Sequence, residues 1–227
     1  MHYEKHLMNS AFISDLVIGM SDGLTVPFAL AAGLSSAVHS NALIITAGAA
    51  EIIAGSIAMG LGGFLAGQTE VEHYDSELKK EYWEIDEYPE VEIKEVKDIF
   101  EGMGLSVNTQ ELAVQEMIKD KDNWVNFMMK YELGLEKPDK DRARKSAFNI
   151  GFAYIAGGTI PLLSYVFTST PDAGFKLSFL VTVVCLLLFG YYKSKVTGQN
   201  PVWGALKVTL IGVVAALAAY FLVKAFS

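Results

Sequence analysis

The chain has 227 residues, 52% of them apolar and only 19% charged, with a formal net charge of −8. A soluble domain carries about a quarter charged residues, so this is an apolar chain with its charge gathered in one place. That place is residues 68–146, with 21 Asp/Glu against 12 Lys/Arg, which excludes nucleic acid as a partner and favours cations.

The first apolar stretch, residues 12–34, reads FISDLVIGMSDGLTVPFALAAGL and is long enough to cross a bilayer. It carries two acids, Asp15 and Asp22, whose seven-residue spacing returns them to nearly one helix face. No small-residue cleavage pattern follows it, so no removable signal peptide is expected. A short loop without Lys or Arg leads to the second stretch, residues 42–66, which contains Glu51 and Met59. An ionisable group inside a span costs several kcal/mol, so each is a functional candidate. Entering from opposite sides, the two stretches bring Asp22 and Glu51 each to about 15 Å depth, near the midplane of a core about 30 Å thick. Asp15 and Met59 fall towards the mouth of the same route, where Asp15 is expected to reach out to the interface. The Met59 thioether adds softness, which favours later transition metals over Mg²⁺ and Ca²⁺. Ala50, Ala54, Ala58 and Gly62 form a stripe of small residues suited to close helix approach, and Gly55 and Gly63 leave room beside the ligands. The alternative is that the acids are neutral packing residues and Met59 is lipid-facing bulk.

The acidic insert, residues 68–146, reads as three helices. The first continues from the second span to about Glu87. The second is opened by Pro89 and closed by Gly102 and Gly104. The third runs from Asn108, as N-cap, to about Leu133. Trp83, Ile85, Val96, Ile99, Phe100, Trp124, Phe127 and Tyr131 supply a small core, which dimerisation or bound metal would support. Glu81 with Glu84, and Glu92 with Glu95, repeat an E-x-x-E spacing on inward faces. Met128 and Glu132 share a helix face and Met129 adjoins them, so the set suits a multi-metal cluster. Core methionines beside surface glutamates would produce the same pattern without metal.

Three further spans follow at about 147–167, 177–192 and 202–223, the fourth of the five being short. Cys185, the only cysteine, lies in the fourth, which excludes disulfides and a cysteine-based zinc site. Lys5, Arg142, Arg144, Lys145, Lys193, Lys195 and Lys207 collect on one side, against Lys176 and Lys224 on the other. The N-terminus and the insert are therefore expected in the cytosol, and the C-terminus across the membrane. The expected fold is an all-α membrane protein: transmembrane helices 1 and 2 in residues 1–67, a cytosolic three-helix insert in 68–146, and transmembrane helices 3 to 5 in 147–227.

The stretches Ser21-Asp22-Gly23-Leu24-Thr25-Val26-Pro27-Phe28-Ala29-Leu30 and Glu51-Ile52-Ile53-Ala54-Gly55-Ser56-Ile57-Ala58-Met59-Gly60 resemble the vacuolar iron transporter family. The five-span layout with a long acidic insert extends the likeness over the chain, in the form found in plants and apicomplexans. The resemblance implies a homodimer with its pathway between the subunits, exchanging Fe²⁺ for protons across the vacuolar membrane. It places pathway residues at Asp22, Glu51 and Met59. It places metal-binding residues at Glu81, Glu84, Glu92, Glu95, Met128, Met129 and Glu132, with no departure at any of these positions. Fe²⁺ is then substrate, with Mn²⁺, Zn²⁺, Co²⁺ and Ni²⁺ as other divalent ions that such groups bind, and no prosthetic group is expected. A Mn²⁺-selective or broad divalent-metal transporter is the nearest alternative function, and a metal-sensing scaffold without transport is another. A membrane-bound di-iron carboxylate enzyme would need two E-x-x-H motifs. Glu70-Val71-Glu72-His73 supplies one, and His2, His6 and His39 cannot make a second.

Overall fold

A computed structural model describes residues 10–226; Lys5, His2 and His6 lie outside them. Among the described residues there are eight helices and no strand: α1 (Ser10–Ser35), α2 (Asn41–Glu87), α3 (Pro89–Gly102), α4 (Val107–Met117), α5 (Lys121–Tyr131), α6 (Arg142–Val166), α7 (Pro171–Val196) and α8 (Pro201–Phe226). The chain divides into two compact units, one of residues 1–65 with 143–227 and one of residues 66–142.

In the first unit, α1, the start of α2, α6, α7 and α8 are each long and apolar enough to cross a membrane. Their outward faces carry large apolar side chains, among them Ile53, Ile57, Leu61, Phe148, Phe152 and Leu210. Such faces are stable only against lipid or another apolar surface. Mostly small residues face inwards: α7 buries Gly174, Ser178, Thr182, Gly190 and Ser194 together with the larger Leu186, one per turn, and α8 buries Ala205, Gly212 and Ala216. Helices in lipid gain little from expelling water from one another, so close backbone approach of this kind supplies the packing. The fourth span is not short. Thr170 caps its start through a hydrogen bond from the Ala173 amide, and Pro171 occupies the first turn, which adds the residues that hydropathy alone discounts.

The second unit departs from three helices. Its expected third helix is broken between Met117 and Lys121 into α4 and α5. The Asp120 side chain accepts hydrogen bonds from the amides of Asp122 and Asn123 and so starts a new helix. Ser106, not Asn108, occupies the residue before α4. Gly104, with φ +84°, reverses the chain after α3 in a conformation that favours glycine. The core consists of Tyr74, Ile85, Val96, Phe100, Val114, Trp124, Val125, Met128 and Met129, with Ile99 and Phe127 packed against it. Trp83 and Tyr131, expected inside, are 52% and 49% exposed. Trp83 instead meets the edge of Tyr88, with ring centroids 5.5 Å apart.

Candidate functional site

In the membrane unit the three helices α1, α2 and α6 converge on Tyr154. This side chain is buried on α6, and its hydroxyl donates a hydrogen bond to Glu51 Oε1. The other oxygen, Glu51 Oε2, is buried and has no hydrogen-bond partner. Asp22 is half-buried on α1, one residue before Gly23. Two glycines permit the convergence. The Tyr154 backbone lies directly against Gly23, and a methyl group at Gly55 would sit 2.5 Å from the Tyr154 hydroxyl oxygen. The space at Gly55 is therefore filled by a phenol, and that at Gly63 by Ile150 and Ser146, so neither glycine leaves a vacancy beside a ligand. Met59 lies two turns beyond Glu51 and is half-buried.

Asp15 does not reach out to the interface. It is 2% exposed, and it accepts hydrogen bonds from Ser146 Oγ at 3.0 Å and Asn149 Nδ2 at 3.3 Å, both on α6. The opposite end of the unit is stitched similarly: Ser35 Oγ and the Tyr165 hydroxyl are 2.8 Å apart, and Asn41 Nδ2 donates to the Tyr165 and Thr168 carbonyls. Ala50, Ala54, Ala58 and Gly62 are all exposed in the single chain, so the stripe they form does not pack against another helix of the same chain. Tyr154 does not stand out in the sequence, where it looks like any aromatic of a span. The signal that could have found it is the glycine at Gly55, one turn after an acid within a span.

The second unit brings Glu81, Glu92 and Glu132 together, with one oxygen of each within 4.8 Å of the others. Glu81 and Glu92 are 2% and 5% exposed, and each has a buried oxygen without a hydrogen-bond partner. Burial, reinforced by Glu92, Glu132 and Glu84, pushes the Glu81 carboxyl up to about 8. Burial, then Glu95 and the other acids, pushes Glu92 up to about 7. Glu132 is raised in the same direction, by desolvation first and then by Glu95 and Glu84. Glu84 and Glu95 are thus electrostatic neighbours of the cluster, and Glu84 also pairs with Lys80 at 3.5 Å. Glu81 and Glu92 are buried and Glu132 is exposed, so crowding of the three favours protonation of the two buried carboxyls or neutralisation by a cation. Met128 and Met129 are fully buried in the apolar core. The lone E-x-x-H motif of this unit is engaged elsewhere: Glu70 pairs with Arg142 at 3.3 Å, and His73 faces Glu77 at 3.9 Å.

The sequence profile of the VIT family matches residues 13–224. The chain belongs to this family. Among similar VIT family proteins, "Vacuolar iron transporter 2" of Oryza sativa subsp. japonica is 46% identical over 224 residues, covering 99% of this chain and 91% of the relative. "Vacuolar iron transporter 1" of Arabidopsis thaliana is 45% identical over 223 residues, 98% of this chain and 89% of the relative. "Protein CCC1" of Saccharomyces cerevisiae is 41% identical over 222 residues, 93% of this chain and 68% of the relative.

Proposed function

We propose that this VIT family protein moves a divalent transition metal, Fe²⁺ first, from the cytosol into a vacuole in exchange for protons. It is a transporter and not an enzyme, in keeping with the names of its relatives. The observation that carries the reading is Glu51 inside a span, held through one oxygen by the buried Tyr154 hydroxyl and with its other oxygen buried without a hydrogen-bond partner; Asp22 on α1 is the second acid within the spans. A carboxylate so placed in a span binds a cation or a proton, and competition between the two couples their movements. Met59 supplies a soft ligand on the way to this pair.

Glu81, Glu84, Glu92, Glu95, Met128, Met129 and Glu132 gather the ion in the cytosol before it enters. The two thioethers are buried in the apolar core, so their part in this reading requires a sulfur to turn towards the carboxylates when metal is bound. The N-terminus and the insert face the cytosol and the C-terminus faces the lumen, following the distribution of lysine and arginine. The protein works as a homodimer, for which the exposed stripe of Ala50, Ala54, Ala58 and Gly62 on α2 offers a close-packing surface. Mn²⁺ is the alternative cargo, because carboxylate and thioether separate it from Fe²⁺ only weakly.

Uptake of Fe²⁺ into proteoliposomes, with and without an inward-acid pH gradient, tests the reading. Glu51→Ala and Asp22→Ala should each abolish uptake, and the gradient should accelerate it. Normal Fe²⁺ uptake by either variant sinks the proposal.

A further inference from the structure

The hydrogen bond from Tyr154 bears on which ions Glu51 can accept, an inference that rests on Glu51 acting as an ion ligand. A free carboxylate can coordinate through one oxygen or through two. Here the Tyr154 hydroxyl engages Oε1, while Oε2 alone is buried without a partner. The phenol is held in place: Tyr154 is 2% exposed, its backbone lies against Gly23, and its ring fills the space over Gly55. It cannot swing away without moving α1 or α2.

We infer that Tyr154 is a specificity-determining residue, which restricts Glu51 to one-oxygen coordination and thereby disfavours Ca²⁺ against smaller transition-metal ions. Ca²⁺ takes about six to eight oxygen ligands and commonly uses both oxygens of a carboxylate. It also gains nothing from the Met59 thioether. A transition-metal ion needs fewer ligands at shorter distance and loses little when one oxygen is withheld. Tyr154 acts through Glu51 and is a positioning residue in this sense. Groups of this kind hold the ligating side chain in one orientation and commonly change metal affinity on mutation.

The test is the ratio of Ca²⁺ to Fe²⁺ uptake by the full chain in proteoliposomes, with each ion supplied alone. Tyr154→Phe keeps the ring and removes the donor, so it should raise that ratio by on the order of tenfold. Gly55→Ala reaches the same hydrogen bond from α2, because its methyl group would sit 2.5 Å from the hydroxyl oxygen; it should shift the ratio the same way. If Tyr154→Phe is not recovered folded, Gly55→Ala decides. An unchanged ratio in a variant that still carries Fe²⁺ overturns the inference. So does loss of both ions by a Tyr154→Phe chain that reconstitutes like the parent, since a selectivity device is not required for movement itself. A parent chain that carries no Fe²⁺ removes the transport reading, and a Glu51→Gln chain with normal uptake removes Glu51 as ligand; both outcomes are distinct from failure of the selectivity device.

Discussion

Glu81 and Glu92 are buried acids whose carboxyls sit near 8 and 7, well above the ordinary glutamate value of 4.5. Protons therefore bind the folded insert more tightly than the unfolded chain. Stability from this source is fully present below about pH 4.5 and is lost as pH rises through 7 and 8. The metal-free protein should accordingly melt at lower temperature at pH 8 than at pH 5, followed by tryptophan fluorescence in detergent. A divalent ion should reverse the loss at pH 8, because it replaces the missing protons as the partner of both carboxylates. Glu81→Gln should flatten the pH dependence and raise the metal-free melting temperature at pH 8, while weakening metal binding. A melting temperature that rises with pH in the metal-free chain would contradict the burial of these groups.

At the scale of single elements, α5 depends on its first turn. Asp120 accepts two amide hydrogen bonds there, and removing such a cap commonly costs about 1 kcal/mol. Asp120→Ala should lower the stability of the insert by about that much and loosen metal binding, because Glu132 closes the other end of the same helix. Thermal melts of the metal-free chain and calorimetric titration of metal into the full chain would read the two effects in turn. This helix also shows where the sequence is a poor guide. Within residues 108–133 the polar run Lys119-Asp120-Lys121-Asp122-Asn123 interrupts the apolar periodicity, but a solvated helix face can carry such a run, and no glycine or proline marks the break. Only the aspartate says that a new helix starts, and aspartate occurs as often on an exposed helix face. By contrast, Pro89 and Gly104 announce the limits of α3: proline fixes φ and removes an amide donor, and glycine permits the positive φ that turns the chain out of the helix.

The spans are legible for a similar reason: a run of about 20 apolar residues is stable in few settings besides a bilayer. Acids within them stand out against that background, so composition singles out Asp22 and Glu51, and repeated spacing singles out Glu81 and Glu92. What cannot be read is the company each acid keeps. Tyr154 lies 103 residues from Glu51 in sequence, and Ser146 lies 131 from Asp15. Such pairings follow from how α6 packs, which hydropathy does not encode. The same packing gives a contrast between two glycines. Gly23→Ala would drive a methyl group into the Tyr154 backbone, whereas nothing lies within 4 Å of one placed at Gly62. In detergent, Gly23→Ala should markedly lower the melting temperature.

For the whole molecule, the charge pattern makes a prediction about sidedness. The acidic insert and the lysines in the last turn of α7 are expected on one face of the membrane. The irregular stretch 134–140 in the insert should then be cut by an impermeant protease added outside intact vacuoles, and protected in inverted vesicles. Cleavage in the opposite preparation would reverse the proposed direction of transport.

A final consequence attaches to Gly23 and Gly55. Both contacts with Tyr154 are made at positions that already carry the smallest side chain available. Mutation at either can only add atoms, so natural variation can prise the first two helices away from the sixth but cannot draw them nearer. The separation of these helices at Tyr154 is therefore limited by the tyrosine itself, and only a change at that residue, not at either glycine, could narrow it.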